Sequence, residues 1–296
     1  MSRISPELAL TLATAVEEGT LEAAARRLHL TPSAVSQRIR ALEDALGQVL
    51  LVRTKPVRAT PAAHGVVRYA RQLALLEADA IAQLGADAAT TRVPLAVNAD
   101  SLATWFLAPL ARLSARHPVV FDLHRDDQDF TAGLLESGTV MGAVTSREQP
   151  VGGCRVSPLG ELVYEAVATP AFRDRWLAGD ADGDRDGLRR APVIDFDRRD
   201  DLQTRWLTAR GVDPTAPPRH RVPASHDFAT AVQLGLGWAL LPRLQSREAL
   251  ASGALVPLGG PEVAVALFWQ QWNLRSPLLD AVAGEIVAEG RRVLSR

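Results

Sequence analysis

The first 47 residues contain three runs in which apolar side chains recur at helical spacing. The first run ends at Gly19, and Thr20 is placed to cap the second. The third begins at Thr31-Pro32, a capping hydroxyl followed by proline at the first helical position, and ends at Gly47. Only a few residues separate the second run from the third. The two predicted helices therefore cross steeply, as in a helix-turn-helix.

The third run predicts an amphipathic helix with a polar outer face. Its apolar stripe consists of Val35, Ile39, Leu42 and Leu46. The opposite face carries hydroxyl, amide and guanidinium groups that can reach base edges and phosphates from a major groove, namely Ser33, Ser36, Gln37, Arg38 and Arg40. The alternative is an ordinary solvated helix face. The tight turn, the cap and the basic surroundings favour DNA binding.

The segment QVLLVRTKPVRAT after the third run is short, β-branched and basic, which predicts a two-stranded wing. Its cations Arg53, Lys55 and Arg58 would meet phosphates or the minor groove. Thr60-Pro61 then starts a helix that we expect to run to about residue 84, with apolar residues at an alternating four-and-three spacing. We interpret this helix as the seam of a homodimer. Packing on its own chain is the alternative.

Residues 92 to 296 alternate apolar runs of strand length with helical runs, which predicts an α/β domain. Ligands of such domains bind at the carboxyl ends of strands and at helix N-termini. Asp100 and Ser101 follow the first strand and open a predicted helix that contains Thr104 and Trp105. Free N–H groups and a hydroxyl there would hold an α-carboxylate, although a simple N-cap explains the pair as well.

Other polar residues fall at strand ends or helix starts in the same region, namely Thr145, Asp195, Asp201, His226 and Asp227. Carboxylates gathered at one cleft would favour an ammonium or guanidinium group on the ligand. Each residue alone is better explained as a cap or a surface charge. Together they form the rest of the candidate effector site.

Composition restricts the class of protein. A chain of 296 residues with 47% hydrophobic residues can form two domains with a large core, which excludes a disordered chain. We expect a cytoplasmic location without membrane contact, because no apolar run approaches bilayer-spanning length. The formal net charge is −1, but basic residues predominate between Arg26 and Arg71, so DNA binding remains compatible with it.

Motifs for metal binding and catalysis are weak. The loop GDADGDRDGL places Asp182, Asp184 and Asp186 at calcium-loop spacing, but the twelfth position is Val193 and not glutamate, so a surface turn is favoured. The lone Cys154 has no partner for a disulfide. No nucleophile, base and acid can be nominated as a set. We therefore expect no catalytic residues, no metal and no cofactor beyond a small-molecule effector.

Several longer motifs resemble a known family. The order AAARRLHLTPSAVSQRIRALEDALG, basic wing and long helix resembles the LysR-type transcriptional regulators across the first ninety or so residues. The segments SAVSQRIRALE, VNADSLATWF, MGAVTSREQPVGGC and LGLGWALLP resemble its branch that controls export of basic amino acids, the lysine-export and arginine-export regulators. This similarity extends over essentially the whole chain.

The resemblance implies an α/β protein with a winged helix-turn-helix at residues 1–60, a linker and dimerisation helix with a hinge at 61–91, and a periplasmic-binding-protein-like effector domain at 92–296. Subdomain I would cover about 92–163 and 265–296, and subdomain II about 164–264. Implied partners are double-stranded promoter DNA, further copies in a homotetramer and RNA polymerase during activation. The implied effector is a basic amino acid, lysine or arginine, and the implied target is an exporter gene. An unrelated small effector, or an architectural or replication-inhibiting DNA-binding role, is the alternative.

Overall fold

The computed structural model describes residues 4–84, 90–125, 131–177 and 185–294, and the chain divides into two compact units. The first unit consists of Met1–Val97, Leu110–Ser157 and Trp269–Ile286. The second consists of Asn98–Pro109, Pro158–Phe268 and Val287–Arg296. Each unit is therefore built from segments that are far apart in the sequence.

Three helices form the start of the first unit, as predicted: α1 (Pro6–Glu18), α2 (Leu21–Arg27) and α3 (Pro32–Leu46). The capping residues act as expected, since the hydroxyl of Thr20 accepts the N–H of Ala23 at 3.1 Å and that of Thr31 accepts the N–H of Ala34 at 3.2 Å. Gly47 ends α3 with a φ of 64°. Val35, Ile39 and Leu42 are buried in one apolar core with α1 and α2, which fixes the outer face of α3.

The wing follows α3 and consists of β1 (Leu51–Val52) and β2 (Arg58–Ala59), which pair antiparallel. A carboxylate on α3 holds its base, because Glu43 Oε1 accepts the N–H groups of Leu50 at 2.8 Å and Leu51 at 3.3 Å. The hydroxyl of Thr60 donates to the carbonyl of Val49 at 2.7 Å on the other side. The Glu43 carboxylate therefore fixes the wing to α3, and Thr60 closes the base of the wing.

A short 3-10 helix (Pro61–Ala63) leads into the long helix α4 (His64–Gln83). Val66, Val67 and Ala70 are buried in the same core as α1, so the first half of α4 packs on its own chain. Packing on its own chain was the alternative to a dimer seam, and it describes the first half of α4. In the second half Leu76 and Ile81 are exposed, as is Leu84 at the C-cap.

The rest of the chain alternates strand and helix, which confirms the predicted α/β class. Its elements in chain order are β3 (Thr91–Val97), α5 (Ala99–Thr104), α6 (Leu107–Ser114), β4 (Val119–Arg125), α7 (Thr131–Glu136), β5 (Gly142–Thr145), β6 (Cys154–Ala168), α8 (Pro170–Trp176), α9 (Arg185–Arg190), β7 (Val193–Asp195), α10 (Leu202–Ala209), β8 (Arg219–Arg221), α11 (Ser225–Gln233), β9 (Ala239–Pro242), α12 (Arg243–Ala251), β10 (Val256–Pro257), β11 (Val263–Trp272) and α13 (Pro277–Val293).

Within the first unit, β3 pairs parallel with both β4 and β5. Within the second, β6 pairs antiparallel with β9 and β10, and β7 pairs parallel with β8. The chain enters the second unit after Ser157 and leaves it after Phe268, compared with predicted crossings near 163 and 265. Residues 98–109, expected in the same subdomain as β3, lie in the second unit.

Three details differ from the sequence analysis. Trp105 was expected inside a helix but lies at its C-cap, with a φ of −123°. Strands β8 and β10 are too short to produce an apolar pattern and were missed. Asp182 and Asp184 of the loop weighed for calcium lie outside the described residues, and Asp186 lies in α9. None of the described helices combines the length and the apolar character needed to cross a bilayer.

Candidate DNA-binding and effector-binding sites

The outer face of α3 presents most of the side chains predicted to contact DNA. Ser33, Gln37 and Arg40 are exposed, and Ser36 is half-buried. Arg38 is also half-buried and forms an ion pair with Glu7 of α1 at 2.5 Å. The guanidinium of Arg38 is therefore held by its own chain. The other four side chains are exposed or partly exposed to solvent.

The wing adds exposed positive charge beside this face. Arg53, Lys55 and Arg58 are all exposed, and none of them forms an ion pair with another residue that the structure describes. Unpaired cations at the surface are suited to phosphate contacts, because binding a phosphate requires no internal ion pair to break. The helix and the wing together form one basic, polar surface.

In the second unit, the carboxylate of Asp100 is held by two hydroxyls from distant parts of the chain. Tyr164 on β6 donates to Oδ2 at 2.7 Å, and Ser225 at the start of α11 donates to Oδ1 at 2.7 Å. The hydroxyl of Thr104 donates to the backbone carbonyl of Asp100 at 2.6 Å, one turn along α5. The Asp100 carboxylate is therefore held by residues of β6 and α11, and its backbone carbonyl by Thr104 of α5.

Asp100 has no cationic partner among the described residues. Burial raises the pKa of its carboxyl above the ordinary value, and the hydrogen bonds from Ser225 and Tyr164 lower it in part. A desolvated carboxylate without a counter-ion is costly. A cation supplied by a ligand would remove this cost.

Three polar atoms around Asp100 are buried and have no hydrogen-bond partner: Ser101 Oγ, Trp105 Nε1 and Asn98 Oδ1. Their residues are 0%, 3% and 6% exposed respectively. Buried polar groups in folded proteins are nearly always hydrogen-bonded. Two potential donors and one acceptor therefore lie unpartnered on a single short segment beside Asp100.

Two more carboxylates lie in the same unit. Asp195 at the end of β7 is 3% exposed and accepts two hydrogen bonds from Arg219 Nη1 on β8, at 2.7 and 2.8 Å. Asp200 accepts the N–H groups of Phe196 at 2.8 Å and Leu202 at 3.1 Å. Burial, and then the negative charges of Asp195 and Asp100, raise the pKa of Asp200 to about 6. Of the carboxylates of Asp100, Asp195 and Asp200, only that of Asp195 has a cationic partner among the described residues.

The other predicted effector residues make none of these hydrogen bonds. Asp201 is exposed and its side chain caps no N–H of α10, while His226 and Asp227 are exposed on α11. Thr145 is buried at the end of β5 in the first unit, where its hydroxyl accepts the N–H of Arg147 at 3.1 Å.

Four polar residues of this region were not predicted from the sequence: Tyr164, Ser225, Asp200 and Arg219. For Ser225 a signal existed, because it opens the predicted helix from which its neighbours His226 and Asp227 were chosen.

The fold and the two sites define a class of protein. A helix-turn-helix with an exposed polar recognition face and a basic wing, followed by an α/β domain with a buried polar site, is a ligand-responsive DNA-binding regulator. The chain belongs to the LysR family: residues 7–64 match the bacterial regulatory helix-turn-helix proteins of the lysR family, and residues 86–291 match the LysR substrate binding domain. It is a transcriptional regulator and not an enzyme.

Curated relatives refine this assignment. The transcriptional regulator LysG of Mycobacterium tuberculosis is 43% identical over 286 residues, which cover 96% of this chain and 92% of LysG. ArgP of Aeromonas salmonicida is 38% identical over 299 residues, covering 99% of both chains. The chain is thus similar along nearly its full length to the LysG/ArgP branch.

Solved structures agree. The crystal structure of ArgP from Mycobacterium tuberculosis superimposes with a TM-score of 0.85 at 41% identity, covering 99% of each chain. Full-length LysG from Corynebacterium glutamicum with bound effector Arg gives a TM-score of 0.79 at 36% identity, covering 99% of this chain and 100% of that one.

Proposed function

We propose that this regulator senses a basic amino acid of the lysine and arginine class and controls a gene for an amino-acid exporter. The observation that carries the effector assignment is the charge imbalance among Asp100, Asp195 and Asp200, of which only Asp195 has a cationic partner among the described residues. The relatives support the same assignment, since LysG of Corynebacterium glutamicum is described as a lysine export transcriptional regulatory protein and was solved with bound effector Arg.

In the proposed complex, Asp100 accepts hydrogen bonds from an ammonium or guanidinium group of the effector. Its carboxylate is desolvated and fixed by Tyr164 and Ser225, so a cation would add charge-assisted hydrogen bonds without reorganising the site. Ser101 Oγ and Trp105 Nε1 would then donate to the effector's carboxylate. Thr104 holds the backbone between them and acts as a positioning residue.

Asp200 is proposed as a second anionic contact, in place of the exposed Asp201. Its backbone hydrogen bonds leave the charge of the carboxylate uncompensated by any described cation. Asp195 is already paired with Arg219 and would contribute mainly to the negative potential. Thr145, His226 and Asp227 remain candidate contacts from the sequence.

We also propose that the outer face of α3 lies in the major groove of promoter DNA, with Ser33, Ser36, Gln37 and Arg40 at base edges or phosphates. Arg53 and Lys55 of the wing would contact phosphates. Arg38 would reach DNA only after release from Glu7. Binding of the effector would change DNA binding or activation by as much as its affinity differs between the two states of the protein.

The proposed assembly is a homodimer through the second half of α4, paired into a homotetramer that contacts RNA polymerase during activation. The exposed Leu76, Ile81 and Leu84 on α4 support the dimer, because a second copy would bury them. Light scattering after gel filtration tests this, with Leu76→Glu/Ile81→Glu expected to reduce the assembly by half or more in mass.

The effector proposal is tested by isothermal titration of the full-length protein with matched pairs of amino acids. Arginine is compared with citrulline, its neutral isostere, and lysine with norleucine. We expect saturable heat from at least one cationic member and none from its neutral partner, with the heat lost in Asp100→Asn. Absence of heat from lysine, arginine and histidine, in protein with native circular dichroism, would overturn the basic amino-acid effector and leave the family assignment unchanged.

A further inference from the structure

Helix α4 carries a guanidinium that binds two consecutive backbone carbonyls of the first unit. Arg68 Nη1 donates to the carbonyl of Gly152 and Nη2 to that of Gly153, both at 2.7 Å. The fork of one guanidinium thus holds both carbonyls of the turn 152–153 at once, which a single ammonium could not do in the same way.

A second guanidinium, one turn along the same face of α4, does the same at another turn. Arg71 Nη1 donates to the carbonyls of Gly138 and Thr139, the latter at 2.6 Å. Burial lowers the pKa of Arg71. Among the described residues no carboxylate forms an ion pair with Arg71, so the two carbonyls of the turn 138–139 carry its hydrogen bonding.

The fit between α4 and these turns leaves no room for side chains. Gly138 and Gly153 have φ values of +72° and +71°. A Cβ on Gly138 would lie 2.8 Å from Arg68 Cα, and one on Gly153 would lie 2.5 Å from Arg68 Nη2. Glycine is therefore required at both turns for the backbone conformation and for the close approach of the helix.

The turns are themselves tied to the end of β11. The N–H of Trp272 donates to the carbonyl of Met141 at 3.1 Å, and the N–H of Asn273 donates to that of Gly153 at 3.0 Å. The guanidinium of Arg68 also lies 5.8 Å from the centroid of the Trp272 ring, within cation–π range. The two arginines therefore bind backbone that is itself hydrogen-bonded to the end of β11 and to the residue after it.

Both turns lead directly into strands that carry candidate effector residues. The turn 138–139 precedes β5, which ends at Thr145, and the turn 152–153 precedes β6, which carries Tyr164. A shift of either strand on effector binding would therefore act on the carbonyls that Arg68 and Arg71 hold.

We propose that Arg68 and Arg71 are positioning residues of a latch between α4 and the turns 138–139 and 152–153, and that this latch transmits the effector's signal to the DNA-binding helices. Helix α4 shares one apolar core with α1, α2 and α3. Holding α4 at the two turns therefore also restrains α3, the proposed recognition helix. The transmission half of the proposal rests on the proposed function; the existence of the latch does not.

The first measurement is hydrogen–deuterium exchange of the full-length protein. The amide of Gly138, bonded to the carbonyl of Leu135, and that of Cys154, bonded to the carbonyl of Val151, report on the two turns. In Arg68→Ala/Arg71→Ala we expect both to exchange about tenfold faster, because the turns open locally once the guanidiniums are gone. Amides of α2 and α3 should keep their wild-type rates.

Two further variants separate the latch from a general loss of stability. Arg112→Ala removes an arginine of the same unit that pairs with Glu285 at the surface, and it should leave the turns unchanged. Arg68→Lys/Arg71→Lys keeps both charges but loses the fork with which Arg68 binds Gly152 and Gly153, so it should speed exchange at the turn 152–153 while folding like the wild type. Wild-type exchange at both turns in the lysine and alanine double variants would overturn the latch.

The second measurement adds saturating arginine. In the wild type we expect a change of exchange in α1 to α4, and in the lysine double variant we expect this change to disappear while the Kd for arginine stays within about twofold. An undiminished change in that variant would overturn the role in transmission. If the wild type binds no cationic amino acid, the proposed effector is wrong. The exchange rates of the Gly138 and Cys154 amides still show whether the latch exists.

Discussion

The proposed DNA-binding surface and the proposed effector site both contain charged side chains, but in different surroundings. Arg40, Arg53 and Lys55 are exposed at the surface of the first unit. Asp100 and Asp195 are desolvated inside the second unit and depend on defined partners. Solvated charges are easily left unpaired, whereas a buried charge is costly unless it is compensated.

This difference predicts how the two regions respond to mutation. Removing an exposed cation should change DNA binding and leave folding unaffected. Removing one member of a buried set should change stability and ligand binding together, because the remaining charges lose their compensation.

The strongest test of the comparison is Arg219→Met. Its guanidinium is the cation on buried Asp195, and its loss leaves an uncompensated charge inside the second unit. We expect the free energy of unfolding to fall by about 3 to 5 kcal/mol, measured by urea denaturation. Arg112→Met, which breaks a surface pair with Glu285, should cost about 0 to 1 kcal/mol. Equal losses in the two variants would show that burial does not distinguish these pairs.

The pH dependence of stability tests the uncompensated carboxylate. The pKa of Asp200 is raised from 3.8 to about 6 in the folded protein, so the folded state binds more protons than the unfolded state between these values. Its contribution to stability is therefore fully present below about pH 4 and is lost as the pH rises through 6. We expect the wild type, relative to Asp200→Asn, to lose on the order of 2 to 3 kcal/mol between pH 4 and pH 7.

Urea titrations of both proteins at several pH values measure this difference, and the subtraction removes the contribution of groups that do not interact with Asp200. Parallel curves would mean that Asp200 ionises normally. Saturating effector should reverse the trend in the wild type, because a cationic ligand favours the ionised carboxylate.

On the DNA-binding side, Gln37→Ala and Arg53→Ala should have different signatures. If Gln37 contacts a base edge, its loss should weaken binding to a duplex selected in vitro by the full-length protein by about 1 to 3 kcal/mol and barely affect random duplex. Arg53→Ala should weaken both duplexes and reduce the salt slope by about one. Fluorescence anisotropy at several salt concentrations measures both. Unchanged affinity of Gln37→Ala for the selected duplex would contradict the recognition-helix assignment.

The same contrast explains what could be predicted from the sequence. The caps Thr20 and Thr31, the stop at Gly47 and the stripe of α3 act within a few residues, so local patterns were sufficient for the DNA-binding helices. The partners of Asp100 lie 64 and 125 positions away in the sequence, at Tyr164 and Ser225, and no local pattern points to them.

Two other omissions have physical causes of their own. Asp201 was chosen at the start of α10, but the turn before that helix buries the carboxylate of Asp200 and exposes its neighbour. On α4, the apolar spacing pointed to a seam, while Arg68 and Arg71 beside it act through backbone carbonyls. A carbonyl acceptor is present in every residue, so the sequence carries no sign of which one is used.

The smallest expected effect concerns the one place where the DNA-binding end departs from its local rules. His29, in the turn between α2 and α3, has a φ of 54°, a left-handed conformation that disfavours side chains with a Cβ. The turn is nevertheless closed, since the N–H of Leu30 donates to the carbonyl of Ala25 at 2.8 Å. His29→Gly removes this strain but adds freedom to the unfolded chain.

Because relief of the strain exceeds the added entropy by a small margin, we expect His29→Gly to raise stability by about 0.5 kcal/mol and the melting midpoint by about 1 to 2 °C. His29→Ala, which keeps the Cβ and loses the imidazole, is the matched control and should not gain. A lower midpoint in both variants would show that the exposed imidazole itself stabilises the turn. In that case this end of the molecule would also depend on a side-chain contact that local patterns do not reveal.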